Sequence, residues 1–339
     1  MPKKTYPAGK LPADDLARLL QKHRFADARV LAGPAIGMDA AAIRFDKRIL
    51  LAKTDPITFA SDDIGWYVLH VNANDIACMG GVPRWFLATV LLPENATDAD
   101  LVERIFADIA TACKQMGVSL VGGHTEITPG LDRPIVVGAM LGETSQDGLL
   151  NLADCQPEDR IVLVSGIAIE ATSIIAREKE AELTEIYDRE FVQRCKNFIH
   201  QPGISVLRAA KEARRAAPLR AMHDPTEGGL ATALHEVADA CGCGLIIDEE
   251  AIPVLPEAKL LCDQYNMDLL GVIASGALLI VIEEKHKSAL LKHFHEQNIL
   301  AADIGYLTRN PGERFLVNEQ GKRPLPRFDQ DEIVKLFAA

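Results

Sequence analysis

The stretch over residues 148–159 constrains the fold most. It is polar and irregular, with Asp154, Pro157, Glu158 and Asp159, and it separates two runs in which apolar strands alternate with helical segments. Each run contains both kinds of element, so each half reads as an α+β or α/β domain. A length of 339 residues is more than one hydrophobic core usually serves, which supports two domains, predicted as 1–152 and 153–339.

In the first half the patterning predicts a helix over 12–23, a loop over 29–39 and short strands over 41–45 and 49–53. A helix over 64–79 ends at Gly80, Gly81 and Pro83; a strand over 85–92 and a long amphipathic helix over 98–116 follow. Strands over 118–121 and 135–141 bracket an expected loop, Gly122-Gly123-His124-Thr125-Glu126, and adjacent strands read as antiparallel. The apolar strands carrying Ile43, Phe45, Leu50 and Leu51 and the strand over 85–92 offer more hydrophobic edge than a small α+β domain covers alone, which predicts a homodimer. The second half opens on a strand over 160–165. Helices follow near 168–182, 189–200 and 205–216, then a strand over 219–222 and a helix over 227–241. Strands over 245–248 and 277–282, a helix from Lys285 and short strands near 304–307 and 314–317 complete it. Ile333, Val334, Leu336 and Phe337 make residues 322–339 a terminal packing element.

The charge excludes several functions. Lysine and arginine number 36 against 48 aspartates and glutamates, a net charge of −12, which is the wrong sign for nucleic-acid binding. Aromatic residues are only 5%, too few for base-stacking platforms. No run reaches the ~20 apolar residues of a membrane span, and the lysine-bearing start lacks the apolar stretch of a signal peptide. Seven scattered cysteines suit reduced, buried thiols and a cytoplasmic protein. Cys241 and Cys243 are a close pair without a second pair, and read as core packing rather than a zinc or redox site.

Four aspartates stand where a structural role explains them poorly. Asp39 is flanked by small residues in Gly37-Met38-Asp39-Ala40-Ala41. Asp55 ends an apolar strand, Asp75 lies inside an apolar helix, and Asp224 lies between a strand and a helix in His223-Asp224-Pro225-Thr226-Glu227-Gly228-Gly229. Taken singly, each has an ordinary reading: an Asx turn, a strand-end turn, a solvent-facing carboxylate or an N-cap. Together they point to a shared cation, since converging carboxylates repel, and Mg²⁺ with its oxygen ligands suits them. Replacing one by asparagine is then expected to relieve repulsion in the metal-free protein. The Gly122–Glu126 segment offers backbone N–H groups and a hydroxyl to a phosphate or nucleoside, or is a simple tight turn. P-loop, Rossmann and Gly-x-Ser-x-Gly signatures do not occur.

These motifs, in this order and with Asn74-Asp75-Ile76-Ala77-Cys78-Met79-Gly80-Gly81-Val82-Pro83 among them, make the chain resemble the aminoimidazole ribonucleotide (AIR) synthase superfamily. The resemblance spans roughly the whole chain from Gly9-Lys10-Leu11-Pro12 and is nearest to the hydrogenase maturation HypE branch. It implies a PurM-like N-terminal α+β domain that forms half of a dimer-spanning β-barrel, and a PurM-like C-terminal α/β domain. It implies a homodimer that uses Mg²⁺ and ATP to activate an oxygen or similar acceptor by phosphoryl transfer. Carried over by position, Asp39, Asp55, Asp75 and Asp224 would be metal ligands. Gly37, Thr54, Asn74, Gly122, Gly123, Thr125 and Glu126 would border the nucleotide, and Asp75, Asp224 and His124 would stand nearest the chemistry. In that branch a C-terminal cysteine carries a carbamoyl group, whereas here no cysteine follows Cys262, so the acceptor is expected to be a small molecule or a group on a partner. The internal cysteines are expected to be poor substitutes. An ATP-binding accessory or scaffold role in cofactor assembly, or a selenophosphate synthetase-like or thiamine-monophosphate kinase-like activity, is the alternative.

Overall fold

The computed structural model describes residues 11, 13–23, 27–35, 38–58 and 62–337. Gly37, Ala338 and Ala339, and Gly9, Lys10 and Pro12 of the opening motif, lie outside the described residues. The strands are β1 (Val30–Ala32), β2 (Ala41–Phe45), β3 (Arg48–Ile57), β4 (Val82–Pro93), β5 (Ser119–Thr128), β6 (Ile135–Thr144) and β7 (Arg160–Val164). They continue with β8 (Ala221–His223), β9 (Gly244–Asp248), β10 (Leu278–Ile282), β11 (Ala301–Thr308), β12 (Arg314–Asn318) and β13 (Gly321–Pro324). The helices are α1 (Ala13–His23), α2 (Ile64–Cys78), α3 (Ala99–Met116), α4 (Ile169–Glu178) and α5 (Glu180–Ile186). After them come α6 (Arg189–Lys196), α7 (Leu207–Ala216), α8 (Gly229–Cys241), α9 (Pro256–Gln264) and α10 (Glu284–Glu296).

Two compact units form. One comprises 27–33 and 38–150; the other comprises the described residues of 1–26, 34–37 and 151–339. The first holds a six-stranded sheet in the order β1-β2-β3-β6-β4-β5. Helix α2 packs on β3, β4 and β6, with α3 beside it. Nearly every residue of α2 is buried, which explains its continuous apolar sequence. By contrast α3 is amphipathic, capped at its start by the Asp98 carboxylate, which accepts the Leu101 N–H, and ended at Gly117 in the left-handed region.

The second unit holds a seven-stranded sheet, β13-β12-β9-β11-β7-β10-β8, antiparallel except for β12 against β9. Leu163, Leu279 and Val281 of the sheet pack with Leu230, Leu234 and Val237 of α8 in one apolar cluster. A second cluster joins Ile174 and Ile175 of α4, Val192 and Cys195 of α6, Leu261 and Cys262 of α9, and Ile333 and Leu336. Of the expected terminal packing element, Ile333 and Leu336 lie in this core and Val334 packs against it half-buried, whereas Phe337 is exposed. The helix expected near 168–182 is divided at Lys179 into α4 and α5.

Three expectations are corrected. Residues 122–126 are not a loop: β5 runs through them. The first sheet is not wholly antiparallel, because β4 and β5 are parallel, the helical crossover through α3 returning the chain in the same direction. Finally, the strand over 85–92 is not an edge. It lies within β4, between β6 and β5, and the edges are β1 and β5.

Candidate functional site

The end of β3 and the inward face of α2 bring three of the sequence's aspartates together around a lysine. Lys53 Nζ lies 3.1 Å from an Asp55 carboxylate oxygen and 3.2 Å from one of Asp75. Asp39, just ahead of β2, is buried, and so is Asp75. Burial by itself would lower the Lys53 pKa, but the charges of Asp75, Asp55 and Asp39 outweigh it and hold the ammonium well above its ordinary value. The solvent-facing reading of Asp75 is thus excluded. Lys53 escaped the sequence reading. Its signal was a lone lysine inside the apolar run Ile49-Leu50-Leu51-Ala52, one residue ahead of Thr54-Asp55.

Asn72 was also missed as a functional residue. Fully buried on α2, its side-chain oxygen accepts the Asp55 N–H at 2.9 Å, and its amide donates to the Asp55 carbonyl at 3.2 Å and the Val68 carbonyl at 2.8 Å. The strand end that delivers Asp55 is thereby pinned to the helix that delivers Asp75. Asn74 is buried on the same helix. The Thr54 hydroxyl donates to the Gly138 carbonyl at 2.7 Å, so it is engaged across the sheet. Oxygen donors from Asp39, Asp55 and Asp75 fit a hard divalent cation such as Mg²⁺, with Lys53 as the protein's own counter-charge.

The glycine pair stands elsewhere. Asp55 is opposite Gly138, Gly138 opposite Ala88, and Ala88 opposite Gly123, three strand spacings and about 14 Å across the sheet. A Cβ on Gly123 (φ +151°) would meet the Ala88 carbonyl oxygen at 1.9 Å, so the glycine is required by strand approach. Gly122, Thr125 and the rest of β5 are exposed along the edge. His124 Nε2 lies 3.1 Å from a Glu126 carboxylate oxygen on the same exposed strand. Within one chain, Gly122, Gly123, His124, Thr125 and Glu126 are not brought to the aspartates of β3 and α2.

Asp224 belongs to the other unit, where it is buried directly after β8. It is not an N-cap: the cap of α8 is Gly228, with no side-chain bond. His223 Nε2 lies 2.8 Å from a Glu236 carboxylate oxygen. All seven cysteines are free, with six buried and Cys241 half-buried. Burial pushes the Cys195, Cys241 and Cys262 thiols up to about 12, which denies them thiolate character at neutral pH. Among the described residues no helix is long and apolar enough to cross a membrane.

Comparison with known proteins agrees with this architecture. The family model "AIR synthase related protein, N-terminal domain" matches residues 37–144, and its C-terminal counterpart matches 156–318. A carbamoyl dehydratase HypE of Rhizobium leguminosarum bv. viciae is 30% identical over 257 residues, covering 74% of this chain and 70% of that protein. Among solved structures, the hydrogenase maturation protein HypE in complex with ATP superposes with a TM-score of 0.70 at 22% identity, over 97% of this chain and 98% of that one. AaThiL complexed with AMPPCP and TMP gives 0.71 at 20% identity, over 94% of this chain and 98% of that one.

Proposed function

The chain belongs to the AIR synthase related family, with its two-domain PurM-like fold, and from that premise we propose that it is a Mg²⁺- and ATP-dependent enzyme. The reaction activates an acceptor oxygen, of an amide or carbamoyl group as in the HypE relatives, by phosphoryl transfer. The single observation that carries this reading is the arrangement of Asp39, Asp55 and Asp75 around Lys53. Two buried carboxylates, Asp39 and Asp75, and the half-buried Asp55 around one ammonium suit a site that exchanges charge with metal and phosphate. Asp39, Asp55, Asp75 and, on the other unit, Asp224 are the proposed metal-binding carboxylates. Bound Mg²⁺ and ATP would supply charge neutralisation and the phosphoryl group.

The protein's own part is placement. Asn72 fixes the backbone at Asp55, and burial on α2 fixes Asp75. Lys53 keeps the carboxylates together before metal arrives and offers an ammonium to phosphate oxygens afterwards. Six of the seven cysteines are buried, and the proposed acceptor is a small molecule or a group borne by a partner protein. Gly122, Gly123, His124, Thr125 and Glu126 take their nucleotide-bordering role only if the β5 edge meets a second copy, so the working form is proposed to be a homodimer in the cytoplasm.

The test is ATP turnover by the purified protein, with and without Mg²⁺, against amides, carbamoyl compounds, selenide and thiamine phosphate. Mg²⁺-dependent turnover stimulated by one acceptor class is expected. Nucleotide binding without turnover on any acceptor would instead favour an accessory role in cofactor assembly.

A further inference from the structure

The loop that carries Asp224 is held by a residue more than a hundred positions later in the chain. Asp331 is 4% exposed, and one of its carboxylate oxygens accepts the Gly228 N–H at 2.6 Å. The other oxygen accepts the N–H groups of Ile273 at 3.2 Å and Ile333 at 2.8 Å. One carboxylate therefore ties together three segments: the loop before α8, the segment before β10, and the chain's own final turn.

The neighbours reinforce the tie. The Glu332 N–H donates to the Gly271 carbonyl at 3.1 Å, and its carboxylate accepts the Asp268 N–H at 2.9 Å. The Thr226 carbonyl accepts N–H groups from Gly229 at 3.0 Å and Ala274 at 3.3 Å. Gly228 and Gly229 both have positive φ, +82° and +65°. Two successive left-handed residues are poorly specified by their own energetics, since glycine moves freely between regions. Something outside the loop must select that conformation, and the Gly228 N–H is bonded to Asp331.

We propose that Asp331 is a positioning residue, whose carboxylate fixes the 224–229 loop in the conformation from which Asp224 acts. The inference rests on the reading of Asp224 as a functional carboxylate. Removing the side chain frees the Gly228 N–H and leaves the glycine pair able to depart from the left-handed region, while Asp224 itself is untouched. Ionised carboxylates are stronger acceptors of N–H groups than neutral amides, so asparagine should restore part of the effect and alanine none. Burial, partly offset by the three N–H groups and aided by the charge of Glu227, pushes the Asp331 carboxyl up to about 6, which still leaves it ionised at neutral pH.

The test compares wild type, Asp331→Ala, Asp331→Asn and Leu336→Ala. Leu336 packs in the core beneath the same turn and makes no bond to the loop, so its variant is a control for destabilisation alone. Two readouts are taken well below the melting temperature: hydrogen exchange of the 226–232 amides, and kcat and KM for Mg²⁺-dependent ATP turnover. Asp331→Ala is expected to raise exchange in 226–232 at least tenfold and to lower kcat about tenfold, with Asp331→Asn intermediate and Leu336→Ala near wild type. Unchanged exchange in Asp331→Ala, or equal effects from Leu336→Ala, would overturn the positioning role. Raised exchange with unchanged kcat would overturn its functional half. Should wild type turn over no ATP, the proposed function fails, and the exchange comparison still decides whether Asp331 orders the loop. Asp331→Asn carries the comparison if the alanine variant does not fold.

Discussion

Lys53 changes what the aspartates require of the metal-free protein. Carboxylates of Asp55 and Asp75 that would repel one another each lie within ion-pair distance of the same ammonium. The relief expected from neutralising Asp75 is thus offset by the partner that Lys53 loses. Asp75→Asn and Asp224→Asn are still expected to weaken Mg²⁺-dependent nucleotide binding by about tenfold or more, roughly 1.4 kcal/mol, with circular dichroism unchanged. Calorimetry showing unaltered affinity in both would remove the metal reading. The acids were legible because aspartate is conspicuous in an apolar helix or at a strand end; the lysine was not, since a charged residue in a strand ordinarily faces water. Glu170 was equally hidden, at the start of α4, and is buried beside Ser275, Asp331 and Glu227. Burial raises its carboxyl to about 7, with Asp331 and Glu227 adding to the rise and the Ser275 hydrogen bond opposing it. The folded state therefore binds this proton more tightly than the unfolded chain, whose value is about 4.5. The stabilisation is full below that value and is lost as pH rises through 7, on the order of 3 kcal/mol by pH 8. Glu170→Gln, which is neutral at every pH, should raise the melting temperature at pH 8 and leave it nearly unchanged at pH 5. Melts giving the same difference at both values would show that Glu170 does not titrate in this range.

At the scale of elements, burial decides what the sequence could reveal. Helix α2 was readable to within a residue because it is surrounded by sheet and α3 and is apolar throughout. Strand β5 was readable only at its start, in the strand expected over 118–121, because it is exposed along nearly its whole length and so carries no alternation of apolar and polar positions, while its two glycines imitate a turn. Division at Lys179 was invisible because α4 and α5 are both helical in pattern, and only the backbone of Lys179 itself leaves the helical region. The final turn announced itself by Ile333, Val334 and Leu336, whereas the role of Asp331 depends on three backbone N–H groups that no side-chain pattern encodes. Leu336 is buried with Ile174, Leu261 and Ile333, so Leu336→Ala should cost about 2–5 kcal/mol by removing packed atoms and leaving a cavity. Nucleotide affinity should stay within about twofold, because the Asp331 bonds remain; a denaturant midpoint equal to wild type would contradict the burial of this turn.

At the scale of the whole molecule, the proposed homodimer has a candidate contact surface in the β5 edge. A strand of ten residues paired on one side only leaves a row of backbone donors and acceptors open, which folded proteins ordinarily cover or charge. Here the edge instead carries Leu120, Val121 and Ile127, at 43%, 54% and 52% exposure, with Trp85 and Val82 of β4 also exposed nearby in the sheet. Ionic protection is confined to His124 and Glu126, which pair with each other. Apolar side chains on an open edge are an aggregation hazard unless a second strand lies against them. In the proposed homodimer a second copy would supply the matching surface under two-fold symmetry, since an isologous contact needs only one self-complementary patch. The sequence pointed to a dimer through Ile43, Phe45, Leu50, Leu51 and the 85–92 strand; Phe45 is indeed exposed, but Leu51 is buried within its own unit and β4 is interior, and the exposed edge is one strand beyond β4. Sedimentation at micromolar concentration should give a species of twice the chain mass. Val121→Lys together with Ile127→Lys places two charges on that edge without entering a core, and should give a folded single chain with an unchanged far-ultraviolet spectrum. If β5 also borders the nucleotide of the partner, the same double variant should lose ATP turnover although Asp39, Asp55, Asp75 and Asp224 are intact. A variant that remains dimeric and active would place the interface on another face, and a wild type that sediments as a single chain would leave the β5 edge open to solvent.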